Sequence, residues 1–118
     1  MNIINTSHEN MSKVDIYRLT KSPAVMKMSN VPENEEITVS KWCIYEEADA
    51  KNPETVNTIL AIADDETGCC YATNSETFRR SFGEITDIFG NDGYTITVMH
   101  GVSKNGRDFI TAVFCKEV

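Results

Sequence analysis

The chain has 118 residues, 41% of them apolar and 8% aromatic, enough for one modest core and too few for two. Eleven basic against eighteen acidic residues leave a net charge of -7, which disfavours diffuse association with polyanions, so any nucleic-acid contact must be local. No apolar stretch approaches the roughly 20 residues of a membrane-spanning helix, and Cys43, Cys69, Cys70 and Cys115 lack zinc-ligand spacing, so neither a membrane partner nor a metal or other cofactor is expected.

Residues 1–10 are polar and unpatterned and predict a flexible tail, with Met11 able to serve as an internal start and residues 11–118 forming a single domain. No cationic and apolar leader opens the chain, which leads us to expect reduced cysteines and a cytoplasmic setting. From Lys13 to Leu19, Val14, Ile16 and Arg18 alternate with Asp15, Tyr17 and Leu19, which predicts a strand. Ser22-Pro23, before Ala24, Val25, Met26 and Met28, fits either one helical turn or a further strand. Pro32 marks a loop over Asn30 to Asn34, and Glu36 to Glu46 predicts a long strand. Strict alternation puts Ile37, Val39, Cys43 and Tyr45 on one face of it and Trp42 and Ile44 on the other.

Glu54 to Ala63 predicts another strand, with Val56, Thr58, Leu60 and Ile62 inward, and Asp64 to Gly68 a hairpin loop leading to a short strand over Cys69 to Thr73. A helix follows, opened by the capping box Thr73-x-x-Glu76, striped by Phe78, Phe82, Ile85 and Phe89, and ended by Gly90. Tyr94, Ile96, Val98 and His100 alternate with Thr95, Thr97 and Met99, and Asn105-Gly106 turns the chain into a last strand over Asp108 to Cys115. Five or six strands with one packed amphipathic helix, in a class between all-β and α+β, suit a small, partly open barrel of the oligonucleotide-binding (OB) style. A split α+β sheet is the alternative, and exposed strand edges leave room for a homodimer.

No catalytic constellation is convincing in the sequence, and a small hydrolase, the third alternative, would need a cleft that gathers His100 with a cysteine or carboxylate. The chain has no phosphate-cradling glycine loop, His100 is a lone strand histidine, and the acidic pairs Glu46-Glu47 and Asp64-Asp65 fall where charges are solvated. What stands out is a set of aromatic and basic residues on strands and hairpins, Tyr17, Trp42, Tyr45, Tyr71 and Tyr94 with Arg18, Lys41, Lys104 and Arg107, of which Trp42, Tyr45, Tyr71, Lys41, Lys104 and Arg107 are the expected DNA contacts. Proteins that hold single strands without strong sequence preference stack bases on aromatic faces, at roughly 1–3 kcal/mol per base, inside grooves edged by cations.

The segment from Glu54 through Tyr71-Ala-Thr-Asn-Ser-Glu-Thr, and then Thr97-Val-Met-His-Gly-Val-Ser-Lys-Asn-Gly-Arg-Asp-Phe-Ile-Thr, resembles the single-stranded-DNA-binding proteins of tailed bacteriophages, the phi29-like group among them. The resemblance covers roughly Glu35 to Phe114. It implies an OB-like barrel, a role in phage DNA replication in the host cytoplasm, single-stranded DNA and phage replication proteins as partners, and DNA contacts from Tyr45 and Tyr71. The chain departs from the family pattern at Glu76, where the family carries a lysine, and in Trp42 and the Cys69-Cys70 pair. A non-enzymatic single-strand binder is therefore the expected function. An acidic phage protein that binds and inhibits a host or defence protein is the alternative that the charge suggests.

Overall fold

A computed structural model describes residues 1–118. In chain order the elements are β1 (Asn2–Thr6), α1 (Lys13–Thr20), β2 (Met26–Lys27), a 3-10 turn (Met28–Asn30), β3 (Ile37–Ala48), β4 (Val56–Asp64), β5 (Cys70–Thr73), α2 (Glu76–Phe89), β6 (Tyr94–Val102) and β7 (Asp108–Glu117). The strands form one sheet in the order β2-β5-β4-β3-β6-β7, with β1 also on β3. Every pairing is antiparallel except β2 with β5. The sheet is a curled, OB-like half-barrel, because inward side chains of β3 to β7 and one face of α2 belong to a single core cluster. Neither helix is long and apolar enough to cross a membrane.

Strand β3 organises the sheet. Its first residues, Ile37 to Val39, pair with Ile96 to Tyr94 of β6, and its later residues, Cys43 to Glu46, pair with β1 on the same edge, while β4 runs along the other. Between Val39↔Asp64 and Lys41↔Ala63 the register slips by one residue, which makes Ser40 a bulge whose hydroxyl donates to the Ala63 carbonyl at 3.1 Å. One extra residue reverses the alternation beyond it. Ile37 and Val39 therefore share the barrel interior with Trp42 and Ile44, whereas Cys43 and Tyr45 point to the outer face. The strict alternation expected for this strand is corrected accordingly.

Helix α2 plugs the barrel with Phe78, Phe82 and Ile85, all buried, as the spacing predicts. Phe82 meets Trp42 edge-on with ring centroids 5.6 Å apart, and Phe89 stacks on Phe114 at 3.8 Å. The cap is Ser75 rather than Thr73: the Ser75 hydroxyl accepts from the Phe78 N–H at 3.1 Å, and Thr73 in turn accepts from the Ser75 N–H. Gly90, at φ 92°, closes the helix. Ser81 of α2 accepts the Ala112 N–H at 2.8 Å, which covers part of the free edge of β7.

The N-terminal part differs most from expectation. The tail expected over residues 1–10 begins as the paired strand β1, whose Ile3 packs on the outer face of the sheet. Lys13 to Leu19 forms α1 rather than a strand, because the Ser12 hydroxyl caps the Asp15 N–H at 3.1 Å and a run this short satisfies helical and alternating spacing equally. The Ser22-Pro23 segment resolves into both alternatives in miniature, the two-residue β2 and then the 3-10 turn. The expected five or six strands and one helix become seven strands and two helices.

Leu19 is the one fully covered residue of α1. Leu19→Ala is expected to lower stability by about 2–5 kcal/mol in urea unfolding followed by Trp42 fluorescence. A loss below about 0.5 kcal/mol, the size of an ordinary surface substitution, would mean that α1 is not packed on the sheet.

Candidate nucleic-acid interface

The three rings chosen from sequence do not form a stacking platform. Trp42 and Tyr71 lie in the barrel core, each 5% exposed, and the Trp42 indole N–H donates to the Asn91 carbonyl at 3.0 Å. Tyr45, 4% exposed, faces outward but is buried in the second cluster with Leu19, Cys43, Ala61 and Cys70. Burial pushes the Tyr45 and Tyr71 phenols above their ordinary values. The physical cause is that each ring completes one of two apolar surfaces, Tyr71 inside the barrel and Tyr45 beneath the N-terminal cover.

That cover is well fastened. Ala61, Ala63 and Ala72 keep the outer face low, so that Leu19, Met11, Val25 and Ile3 can settle on it. Ser7 is locked to β3 by its N–H to the Trp42 carbonyl at 2.8 Å and by its hydroxyl, which accepts the Trp42 N–H at 3.0 Å. The Asn91 amide donates to the Ser7 carbonyl at 2.8 Å and ties the cover to the loop before β6. At the rim, Lys21 pairs with Glu47, and Lys41 with Asp15 at 2.8 Å. The Lys41 ammonium holds the Asp15 carboxyl below the usual range. Lys41, a candidate phosphate contact, is thus engaged by the protein's own carboxylate. Lys104 and Arg107 are the two sequence candidates that the structure does place together, exposed in the β6–β7 turn and outside every ion pair.

A groove does exist, one strand further along. Two hollows share Ser29, Thr73 and Asn74 and so adjoin one another where β5 leads into α2. The smaller, about 420 Å³, is bordered by Lys27, Tyr45, Ile59 and Ala72. The larger, about 830 Å³, lies between the start of α2 and the β6–β7 hairpin, walled by Ser75, Thr77, His100, Gly101 and Phe109. Phe109 is half-buried and sits across from Gly101 in the β6–β7 ladder. His100 serves the wall itself: its ring Nε2 donates to the Val31 carbonyl at 2.7 Å and its backbone N–H donates to the Glu33 carboxylate at 3.0 Å. Lys27, like Lys104 and Arg107, makes no ion pair, whereas Lys21, Lys41, Arg80 and Lys116 are all engaged; Lys13, Arg18, Lys51 and Arg79 are also unpaired but border neither hollow.

Sequence reasoning missed Lys27, Asn74 and Phe109. The available signal was the hairpin register: counting outward from Asn105-Gly106 sets Phe109 opposite Gly101, the pairing observed. Comparison with protein-family models, with curated proteins and with solved structures finds no match.

The burial of Tyr45 and Tyr71 has an optical test. Raised phenol values mean that the folded state keeps its protons above pH 10 while the unfolded state releases them. The contribution of these two phenols to stability is thus full below about pH 10 and falls as pH rises further. Cys43, pushed up from 9.0 to about 11, and Tyr94, from 10.0 to about 12, act in the same direction. In an alkaline titration read by tyrosinate absorbance, Tyr45, Tyr71 and Tyr94 should ionise together with unfolding. Ionisation of Tyr45 and Tyr71 at about pH 10 in the folded protein would contradict their burial.

Proposed function

We propose that the protein binds single-stranded DNA, with little sequence preference, along the groove from Lys27 past Asn74 to the Lys104–Arg107 turn. The supporting observation is the position of this groove. OB-type barrels take oligonucleotides on the face of their second and third strands, between the loops that follow the first and fourth. In this half-barrel those strands are β4 and β5, whose residues Ile59, Ala72 and Thr73 line the groove, and the fourth-strand loop carries Lys104 and Arg107. The phage-protein resemblance supports the same reading, and with it a place in phage DNA replication in the host cytoplasm.

The charge balance sets the character of the binding. On a chain of net charge -7, the three cations beside the groove, Lys27, Lys104 and Arg107, make a thin basic margin. With most of its rings buried, the protein depends on phosphate contacts more than on stacking. Each single-strand phosphate neutralised contributes about -0.7 to the slope of log K against log salt, so three cations give a slope of about -2.

Fluorescence anisotropy of a labelled oligothymidine across a salt series tests this. The wild-type protein should bind with that slope, and Lys104→Ala with Arg107→Ala should weaken binding and flatten the slope by about 1.4. Lys13→Ala, at an exposed cation of α1 that borders neither hollow, should leave binding unchanged. An unaltered affinity in the double variant would remove the groove from consideration. Absence of binding at low salt would leave the acidic, protein-binding reading in its place.

A further inference from the structure

We infer that the cleft between α2 and the β6–β7 hairpin is a nucleobase pocket, in which one base of the bound strand stacks on Phe109 while Asn74 meets its edge; this rests on the single-strand reading above. The observation that carries it is the fit of Phe109 to Gly101. Gly101 is held in an ordinary strand ladder, so no unusual backbone conformation calls for glycine there. Space does: a Cβ at Gly101 would stand 2.4 Å from Cζ of Phe109 and within 2.9 Å of both Cε atoms. The ring thus lies down on the β6 backbone, and its orientation is fixed by the missing side chain. Gly101 is the positioning residue and Phe109 the surface it positions.

The rest of the cleft suits a base. Its volume of about 830 Å³ falls within the range of roughly 300–1,000 Å³ typical of small-ligand sites. Asn74, Ser29 and Thr77 line it with side chains that make no hydrogen bond within the protein, so their donors and acceptors are open to a ligand. Thr73 and Ser75, by contrast, are engaged at the start of α2 and fix that wall. An aromatic face with an amide beside it is the pairing by which proteins hold unstacked bases, and base–aromatic stacking tolerates any base. With Trp42, Tyr45 and Tyr71 buried, this is the ring that the groove offers to a strand.

The test compares two strands of equal length, oligothymidine and its abasic deoxyribose-phosphate counterpart, by anisotropy at fixed salt. The wild-type protein should prefer the thymidine strand by at least about fivefold, the lower end expected for one stacked base. Phe109→Leu should bring that preference close to one while leaving the abasic affinity in place. Gly101→Ala should do the same, because the added methyl meets the far end of a movable side chain and pushes the ring rather than the backbone. Asn74→Ala, at an exposed position, should change the ranking among thymidine, cytidine and adenosine strands and leave the abasic strand unaffected. Equal wild-type binding of both strands would overturn the pocket while leaving the groove intact, as would a preference that survives both Phe109→Leu and Gly101→Ala. Failure to bind either strand would overturn the single-strand reading and the pocket with it. Trp42 fluorescence reports the fold of each variant, and a purely structural role for Phe109 would lower stability without erasing the discrimination between strands.

Discussion

The one-residue slip at Ser40 sets the arrangement of the whole protein. Without it, β3 would carry Cys43 and Tyr45 to the same side as Ile37 and Val39; with it, Trp42 and Ile44 turn inward and Tyr45 turns out. A sheet with apolar side chains on both faces must be covered on both. Helix α2 covers the concave side, and β1, α1 and the segment that follows them cover the convex one. The small residues at positions 61, 63 and 72 are the local counterpart of that demand, since larger ones would hold α1 off the sheet. The four hydrogen bonds joining Ser7, Trp42 and Asn91 anchor the outer cover and the barrel to one another through the strand that carries the bulge.

This division of faces decides where a ligand can sit. Convex-face positions along β3 are occupied by the protein's own N-terminal segment, down to Asp15 on Lys41. The two adjoining hollows follow β5, the 3-10 turn and the β6–β7 hairpin, where Lys27 and the half-buried Phe109 lie and beside which Lys104 and Arg107 project from the turn. A strongly acidic chain confines polyanion contact to such a place, because repulsion elsewhere leaves a short path over which attraction prevails.

Much of the fold could be read from residue patterns whose period admits one interpretation. Phe78, Phe82, Ile85 and Phe89 are too long a series for anything but a helix, and Asn105-Gly106 between two alternating runs specifies a hairpin. The run from Lys13 alternates as a strand would but is too short for its period to exclude a helix, and there the Ser12 cap decided the outcome. The bulge leaves no compositional trace, since Ser40 is an ordinary strand residue, and an unseen one-residue slip moves every later side chain to the opposite face. The site suffered from the same ambiguity. Aromatic residues on a strand with bulk on both faces read alike whether they stack a ligand or fill a core, so Trp42, Tyr45 and Tyr71 attracted a role that their burial denies. The exposure of Lys104 and Arg107 was legible because a turn tip is exposed whatever the register.

The proposed path of the bound DNA follows β5 and the β6–β7 hairpin, outside the N-terminal cover. Backbone amide chemical-shift mapping during titration with oligothymidine tests it most directly. Perturbations confined to Lys27–Ser29, Thr73–Thr77 and His100–Phe109 are the result the structure predicts. Perturbations centred on α1 and the Cys43–Tyr45 stretch, with the hairpin silent, would place the ligand on the convex face and contradict the account.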